Sequence, residues 1–178
     1  MILPASVRIV EVGARDGLQN QSRLVPTEIK IELIERLCDA GIRHIEVGAF
    51  VSPKWVPLMA DSDKVISKLK VRKNVIYSAL TPNMKGMESA LNSGVDEVAV
   101  FVAASESFSQ KNTNCSIQEA IDRAIPIIES AKLNNIQVRG YISCVMSCPY
   151  EGDNIDPEYV AKLSQQLIQL GCHEVSLG

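Results

Sequence analysis

The sequence predicts a parallel α/β fold, in the form of a (β/α)8 barrel. Short β-branched apolar segments alternate with longer helical segments along the chain, and this alternation is typical of parallel strands joined by helices. A doubly wound sheet is the competing architecture. Its main support is missing, because no Gly-x-Gly-x-x-Gly follows the first predicted strand and no Gly-x-x-x-x-Gly-Lys-Ser/Thr occurs. Polar residues gather in the turns that follow the strands, as either fold expects.

The first half of the chain contains four predicted strands, at residues 7–12, 44–47, 75–80 and 97–102. Each is a short run rich in β-branched residues. A loop rich in Gly, Asn, Gln and Ser follows the first strand. The intervening helices are predicted over residues 26–40, 62–69 and 83–92. In the first helix, Ile29, Leu33, Ile34 and Leu37 recur at helical spacing. Asn83 is placed to cap the third helix, and Gly41 and Gly94 are placed to end the first and third.

The second half repeats this pattern twice. Ser116 and Glu119 form a Ser-x-x-Glu capping box, which predicts a helix over residues 116–133. A fifth strand is predicted over residues 136–143. Pro157 marks the start of a helix ending at residue 171, and a sixth strand follows at 173–177. A full barrel takes about 250 residues, so we expect one partial barrel domain over residues 1–178, with the last two βα units lacking.

Composition narrows the range of functions. The chain has 178 residues, of which 46% are apolar and 22% charged, with a net charge of −3, as in ordinary globular proteins. No basic stripe favours nucleic acid, and no apolar run approaches the roughly 18 residues of a membrane span. Five scattered cysteines and the lack of a signal peptide predict a cytoplasmic protein. The mitochondrial matrix is the alternative if a transit peptide was removed.

The residues with the clearest chemical potential are Arg15 and Asp16, directly after the first predicted strand. There they would lie at the carboxyl end of the sheet, where a carboxylate can bind a hard cation and a guanidinium can face a carbonyl or anionic oxygen. A local ion pair or a turn at the strand end is the alternative interpretation of these two residues.

The sequence around this pair, Val-Glu-Val-Gly-Ala-Arg-Asp-Gly-Leu-Gln-Asn-Gln, resembles the opening of the hydroxymethylglutaryl-CoA lyases, members of the DRE-TIM metallolyase superfamily. The resemblance continues, in order, almost to the end of the chain. Further segments that carry it include Phe-Val-Ser-Pro-Lys-Trp-Val-Pro, Leu-Thr-Pro-Asn, Asn-Thr-Asn-Cys-Ser, Val-Arg-Gly-Tyr and Cys-Pro-Tyr-Glu-Gly. Related Claisen-type synthases resemble Leu-Arg-Asp-Gly-Glu-Gln at the first turn, and the Ala-Arg-Asp-Gly-Leu-Gln found here favours the lyases.

The resemblance implies cleavage of 3-hydroxy-3-methylglutaryl-CoA to acetyl-CoA and acetoacetate, a reaction of leucine degradation, with Mg²⁺ or Mn²⁺ as cofactor. Arg15 matches the family's catalytic arginine, Asp16 a metal ligand, and Glu46 a residue needed for activity. The substrate-binding positions that match are Arg15, Gln19, Asn112 and Tyr141. The expected partners are an acyl-CoA and further copies of the chain, such as in a dimer, with no nucleic acid or membrane.

Other polar residues are expected to have structural roles. Glu11 and Arg139 are charged residues within strand patterns, and a buried ion pair that supports the barrel mouth is the favoured role for them. We expect Trp55 to pack its loop rather than stack on a cofactor. Cys144 and Cys148 are expected to be reduced cysteines rather than metal ligands, because no second pair of cysteines accompanies them.

The family also carries a His-x-His metal pair, a Gly-rich loop with the acid cysteine and an Asn ligand, none of which this sequence contains. We therefore expect a chain ending at Gly178 to have no lyase activity and to associate through open strand edges, while its six strands still curve as part of a barrel. Two other functions stay open: a Claisen-type synthase of the same superfamily, and a non-catalytic binding protein derived from a barrel.

Overall fold

The computed structural model describes residues 4–178, which form five β-strands, six α-helices and two short helical turns. The strands are β1 His44–Ala49, β2 Ile76–Leu80, β3 Glu97–Ala103, β4 Gln137–Ser143 and β5 Glu174–Leu177. The helices are α1 Thr27–Asp39, α2 Ser62–Lys68, α3 Met84–Ser93, α4 Glu106–Thr113, α5 Ile117–Leu133 and α6 Pro157–Leu170. A π-helical turn covers Gly13–Gly17 and a 3₁₀ turn covers Pro57–Met59.

The five strands form one parallel sheet in the order β1-β2-β3-β4-β5. A doubly wound sheet reverses its strand order at a switch point, and no such reversal occurs in this sheet. Every crossover runs in the same direction, and because parallel crossovers are almost always right-handed, the helices lie on one face of the sheet. This is the arrangement of a partial (β/α)8 barrel, so the predicted fold class is confirmed.

The two faces of the strands carry different chemistry. Along β4, Val138 belongs to the apolar core, and a Cβ on Gly140 would lie 2.9 Å from Leu167 of α6. The alternate residues Arg139 and Tyr141 instead make polar contacts with side chains of other strands. Since neighbouring residues of a strand point to opposite faces, the helix-facing side holds the apolar core and the barrel-facing side holds the polar groups.

The first predicted strand, residues 7–12, is wrong as a regular strand. Only Glu11 pairs with the sheet, in an isolated parallel bridge to Ile45. Its N–H donates to the His44 carbonyl at 2.9 Å, and its carbonyl accepts from the Glu46 N–H at 2.8 Å. Val7 is 79% exposed. No strand among residues 4–178 lies on the other side of this segment, so its β-branched residues gain neither a second ladder nor a buried face.

The remaining predicted elements agree with the structure to within a few residues. Asn83 caps α3 through a hydrogen bond from the Gly86 N–H, and both hydrogen bonds of the Ser116–Glu119 capping box are present. Two elements were not predicted from the sequence: α4, whose start is capped by Ser105, and the π-helical turn, which lies in the segment predicted as a loop. Within residues 4–178 no helix is long and apolar enough to cross a membrane.

The contact between α3 and the loop after β1 gives a test of the packing. A Cβ on Gly86 would lie 2.6 Å from the Phe50 carbonyl oxygen, a backbone atom that cannot rotate away. We expect Gly86→Ala to lower the free energy of unfolding by about 1–3 kcal/mol, measured by urea denaturation. The control is Gly17→Ala, where a Cβ would meet no atom within 4 Å. Equal stability of the two variants would contradict this packing.

Candidate active site

The centre of the candidate site is Arg15, which the π-helical turn holds beside the carboxyl ends of the strands. The turn begins where the Gly13 N–H donates to the Glu11 carboxylate at 2.6 Å. The N–H groups of Arg15 and Asp16 both donate to the Val12 carbonyl, at 3.0 and 2.7 Å. Single π-turns are rare in proteins as a whole, and those that occur are often found at functional sites. Here the turn buries Arg15, which is 9% exposed, while Asp16 remains at the surface.

The partner of Arg15 is Glu46, which is fully buried within β1. One carboxylate oxygen of Glu46 accepts a hydrogen bond from Arg15 Nε, and the other accepts from the Tyr141 hydroxyl at 2.9 Å. The three residues come from the first turn, β1 and β4. The structure thus brings together Arg15, Glu46 and Tyr141, three of the predicted site residues.

Burial dominates the electrostatics of this cluster. Desolvation raises the pKa of Glu46 above its ordinary value, although the charge of Arg15 and the hydrogen bonds from Arg15 and Tyr141 act in the opposite direction. The pKa of Tyr141 is also raised, first by burial and then by the neighbouring Glu46 carboxylate. Its phenol therefore stays protonated and continues to donate to Glu46.

Arg15 retains donors that the described residues do not use. Its Nη1 donates to the Asp16 carboxylate at 2.9 Å, so the local ion pair considered from the sequence is present. Among residues 4–178 no group accepts a hydrogen bond from Nη2. A guanidinium oriented on one edge with donors left on another is suited to bind a carbonyl or enolate oxygen.

Asp16 offers one oxygen donor for a metal ion. Its side chain is 54% exposed, and a carboxylate suits a hard divalent cation. In the described part of the chain, no group of three or more His, Cys, Asp or Glu residues is arranged to hold a metal. Asp16 is therefore the one residue of the predicted metal site that residues 4–178 contain.

Gln19 and Asn112 lie outside this hydrogen-bonded cluster. Gln19 is half-buried just beyond the π-helical turn, and Asn112 is exposed on α4. Neither is hydrogen-bonded to Arg15, Glu46 or Tyr141 within residues 4–178. Asn112 instead borders a small cavity beside Phe101 of β3, so a role of either residue requires a ligand that extends beyond Arg15.

Glu11 and Arg139 do not form an ion pair with each other, so that interpretation is wrong for the two as partners. The Glu11 carboxylate caps the π-helical turn through Gly13. Arg139 forms ion pairs with Glu97 and Glu174 near the amino ends of β3 and β5. Arg139 lies two residues before Tyr141 on β4, so it is deeper in the barrel than Tyr141 and does not line the mouth.

Glu97 is the centre of this second cluster. It is fully buried, and its carboxylate lies 2.8 Å from His44 Nε2 and 3.3 Å from His173 Nε2. Although burial alone would raise it, the pKa of Glu97 is lowered by the His44 hydrogen bond and the charges of His44, Arg139 and His173. His44 and His173 therefore contact a structural carboxylate at the amino ends of the strands, away from Arg15.

The structure corrects the prediction for Trp55 and shows a buried lysine, Lys30, that was not predicted from the sequence. Trp55 does not pack its loop, since it is 79% exposed. Lys30 is buried on α1, where its Nζ donates to the Leu58 carbonyl at 2.6 Å and to Asp61 at 2.5 Å. The signal for Lys30 was its spacing of four residues from the buried Ile34, which places it on the apolar face of the helix.

Comparison with known proteins places these residues in a family context. The HMGL-like family model matches residues 6–178. A 3-hydroxy-3-isohexenylglutaryl-CoA/hydroxy-methylglutaryl-CoA lyase of Pseudomonas aeruginosa is 56% identical over 178 residues, covering 100% of this chain and 59% of the relative. A cytoplasmic lyase of Danio rerio and a mitochondrial lyase of Rattus norvegicus are 51% and 50% identical over 99% of this chain and 52% and 54% of their own lengths. The chain thus spans little more than half the length of these relatives.

Solved structures show the same similarity. The hydroxymethylglutaryl-CoA lyase of Pseudomonas aeruginosa superimposes with a TM-score of 0.95 at 56% identity, over 99% of this chain and 58% of that protein. The HMG-CoA lyase of Acinetobacter baumannii, solved in complex with coenzyme A and 3-methylmalate, gives a TM-score of 0.91 at 32% identity, again over 99% of this chain and 58% of that protein.

The Arg15–Glu46 pair predicts a pH-dependent stability effect. Arg15 lowers the pKa of Glu46, so its removal raises that pKa further and leaves a buried carboxylate that is costly whenever it is ionised. We expect Arg15→Gln to lower the free energy of unfolding by about 3 kcal/mol at about pH 8. The loss shrinks toward about pH 5, as Glu46 takes up a proton.

The measurement is urea denaturation of the full-length protein across this pH range. Arg15→Gln/Glu46→Gln is the matched control, because replacing both charges removes the unpaired carboxylate and should recover part of the loss at high pH. A loss of unfolding free energy that does not vary with pH, and that the double substitution does not reduce, would contradict this prediction. Arg15 would then stabilise the protein by some means other than its ion pair with Glu46.

Proposed function

The chain belongs to the HMGL-like family, and from this premise we propose that the protein cleaves 3-hydroxy-3-methylglutaryl-CoA to acetyl-CoA and acetoacetate. The relatives named as lyases support this reaction. The observation that carries the proposal is the Arg15 guanidinium, whose Nε is held by the buried Glu46 while Nη2 has no acceptor among residues 4–178. It provides a fixed positive charge at the carboxyl ends of the strands, where barrel enzymes react.

The reaction is a retro-Claisen cleavage. The tertiary hydroxyl of the substrate loses its proton, the carbon–carbon bond between C3 and C2 breaks, and C3 becomes the ketone of acetoacetate. The electron pair passes to the acetyl-CoA enolate, whose negative charge rests largely on the thioester oxygen until C2 is protonated. Arg15 stabilises this charge by donating hydrogen bonds to the thioester oxygen, an interaction that strengthens as the enolate forms.

Glu46 and Tyr141 act through Arg15. Glu46 accepts from Nε and so fixes the plane of the guanidinium, while the Tyr141 hydroxyl fixes the second oxygen of Glu46. Both side chains are used in this hydrogen bonding, which makes them positioning residues for Arg15. Gln19 and Asn112 are proposed to contact parts of the acyl-CoA farther from the thioester.

A divalent cation, Mg²⁺ or Mn²⁺, fits the exposed Asp16 carboxylate next to Arg15. When bound, it would supply positive charge at the substrate hydroxyl and carboxylate oxygens. Asp16 would hold it by one carboxylate. The contact between Asp16 and Arg15 Nη1 would keep the cation close to the guanidinium, so that one substrate can meet both.

A Claisen-type synthase remains the second candidate, because the Arg-Asp pair serves equally well when an acetyl-CoA enolate is formed for addition to a 2-oxo acid. Assay of the full-length protein in both directions separates the two, since the lyase alone releases acetoacetate. Failure in both directions would favour a non-catalytic binding protein.

We further propose one catalytic domain, assembly as a homo-oligomer such as a dimer, and a cytoplasmic location. The relatives include cytoplasmic and mitochondrial forms.

The role of Arg15 predicts a large kinetic effect. Arg15→Gln should lower kcat by about 100-fold, the scale of losing one oxyanion donor, when acetoacetate release is measured below the unfolding temperature of the variant. Arg15→Lys should also be poor, because a point charge cannot replace the planar fork. The control is Arg36→Gln, which removes an exposed surface guanidinium on α1. An Arg15→Gln enzyme with more than a third of the wild-type kcat would exclude the electrostatic role.

The role of Asp16 predicts a change in metal binding. Asp16→Asn removes the charge of the ligand while keeping nearly the same shape, so Mn²⁺ should bind more weakly by calorimetry, with activity partly recovered at high Mn²⁺. Asp122→Asn removes an exposed carboxylate on α5 and serves as the matched control. Unchanged Mn²⁺ affinity in Asp16→Asn would exclude Asp16 as a metal ligand. Its role would then be limited to the π-helical turn and the ion pair with Arg15.

A further inference from the structure

The loop between β4 and α6, residues 144–156, carries two cysteines that the proposed cleavage does not use. Cys144 directly follows the last residue of β4 and is partly exposed, whereas Cys148 is buried. Both are free thiols. The φ angle of Cys144 is 63°, in the left-handed region that residues other than glycine rarely adopt. Such backbone conformations cluster at functional sites.

The sulfur of Cys148 lies among hydrogen-bond donors. Ser105 Oγ lies 3.0 Å from Cys148 Sγ, and the Tyr150 N–H donates to the same sulfur at 3.4 Å. Because Ser105 Oγ accepts from the Phe108 N–H at 3.1 Å, its own proton is available to donate to the sulfur. These donors favour the thiolate form of Cys148 over the thiol.

The two thiols differ in acidity, and each affects the other. Burial acts to raise the pKa of Cys148, but hydrogen bonds from Ser105, from two backbone N–H groups and from Cys144 outweigh it and hold the pKa below its usual value. Burial raises the pKa of Cys144 to about 11, and the charge of Cys148 and a hydrogen bond with it act in the same direction. The pair thus combines a partly exposed thiol with a buried thiolate close to it.

The part of the loop that carries Cys148 is fixed against α4. Cys148 and Gly152 exchange two backbone hydrogen bonds, at 2.9 and 2.8 Å, which close a tight turn. The Glu151 carboxylate in this turn accepts from the Ser107 N–H of α4 at 2.7 Å. Cys148 is therefore held within reach of Cys144, as the formation of a disulfide between them requires.

We propose that Cys144 and Cys148 are a redox-active pair, which a low-molecular-weight disulfide such as glutathione disulfide oxidises to an intrachain disulfide. The partly exposed Cys144 loses its proton to solvent and attacks one sulfur of glutathione disulfide, which releases one glutathione thiolate and leaves a mixed disulfide. The Cys148 thiolate then attacks the Cys144 sulfur and releases the second glutathione thiolate. The two glutathione thiolates take up the two protons that the cysteines gave to solvent, so two protein thiols are oxidised and one disulfide is reduced.

The pair is separate from the cleavage chemistry but connected to the elements that carry it. Cys144 lies three residues after Tyr141 of β4. Ser105, which contacts Cys148, also caps α4, the helix that carries Asn112. Because a disulfide replaces the thiolate that Ser105 binds, oxidation alters the contact between this loop and α4. The inference does not depend on the proposed lyase function, since thiol oxidation is measured without substrate.

The test is peptide mass spectrometry of the full-length native protein, equilibrated at a series of ratios of reduced to oxidised glutathione. Free thiols are then alkylated, and trypsin cleavage after Arg139 and Lys162 gives a peptide of residues 140–162, in which Cys144 and Cys148 are the only cysteines. As glutathione disulfide comes into excess, we expect this peptide to escape alkylation and to be about 2 Da lighter than its reduced form.

Four variants locate the effect. Cys144→Ser and Cys148→Ser should each abolish the intrachain disulfide, and in Cys148→Ser the bound glutathione should stay on Cys144, because no second thiolate displaces it. Ser105→Ala removes a donor from the thiolate and destabilises the reduced form, so the disulfide should form at a glutathione disulfide concentration about threefold or more lower. The matched control is Ser147→Ala, which changes an exposed residue between the two cysteines and should oxidise as the wild type does.

Three results would overturn the inference. The first is a peptide 140–162 that stays fully alkylated at every glutathione ratio in the native protein. The second is a wild-type protein that keeps glutathione on Cys144, or joins either cysteine to another peptide, because Cys148 would then not be the second nucleophile. The third is an equal midpoint in Ser105→Ala and wild type, which would show that the Cys148 sulfur is not held as a thiolate. None of these results alters the test of the lyase proposal.

Discussion

The buried ion pair between Arg15 and Glu46 is the interaction on which the site depends. A carboxylate without access to solvent requires a partner, and Arg15 meets this requirement from a turn that is distant in sequence. The same contact fixes the guanidinium in one orientation. A rigid charged group needs little reorganisation when negative charge forms beside it. The burial of Glu46 therefore serves the site, because it holds the Arg15 guanidinium in a fixed orientation.

The barrel interior holds its charges in two neighbouring layers, which lie two residues apart along β1 and along β4. Near the amino ends, Glu97 is surrounded by His44, His173 and Arg139, and this cluster ties β1, β3, β4 and the start of β5 together. Toward the carboxyl ends, Glu46 contacts Arg15 and Tyr141. The first group pairs its charges with one another, whereas the second leaves donors of Arg15 for a substrate.

Features set by local chemistry were predictable from the sequence. The capping box at Ser116 and the cap at Asn83 involve residues three apart, and both were found. The Glu46–Tyr141 hydrogen bond joins residues 95 positions apart, and no local pattern could identify it. Helix α4 was missed because its sequence, ESFSQKNT, has few apolar residues to mark a buried face. The prediction of a strand at residues 7–12 was wrong because a regular strand also needs neighbouring strands to pair with along its length. β-Branched composition does not show whether such neighbours are present.

The alternation of apolar and polar residues along β4 has a consequence for how such a protein can change over evolution. Val138 and Gly140 meet the helices, and their replacement alters the layer on which folding depends. Arg139 and Tyr141 face the other way and contribute little to that layer. Mutations of the barrel-facing residues can therefore change the chemistry of the interior without altering the helix-facing layer. The buried ion pairs limit this freedom, because a charge can be replaced at low cost only together with its partner.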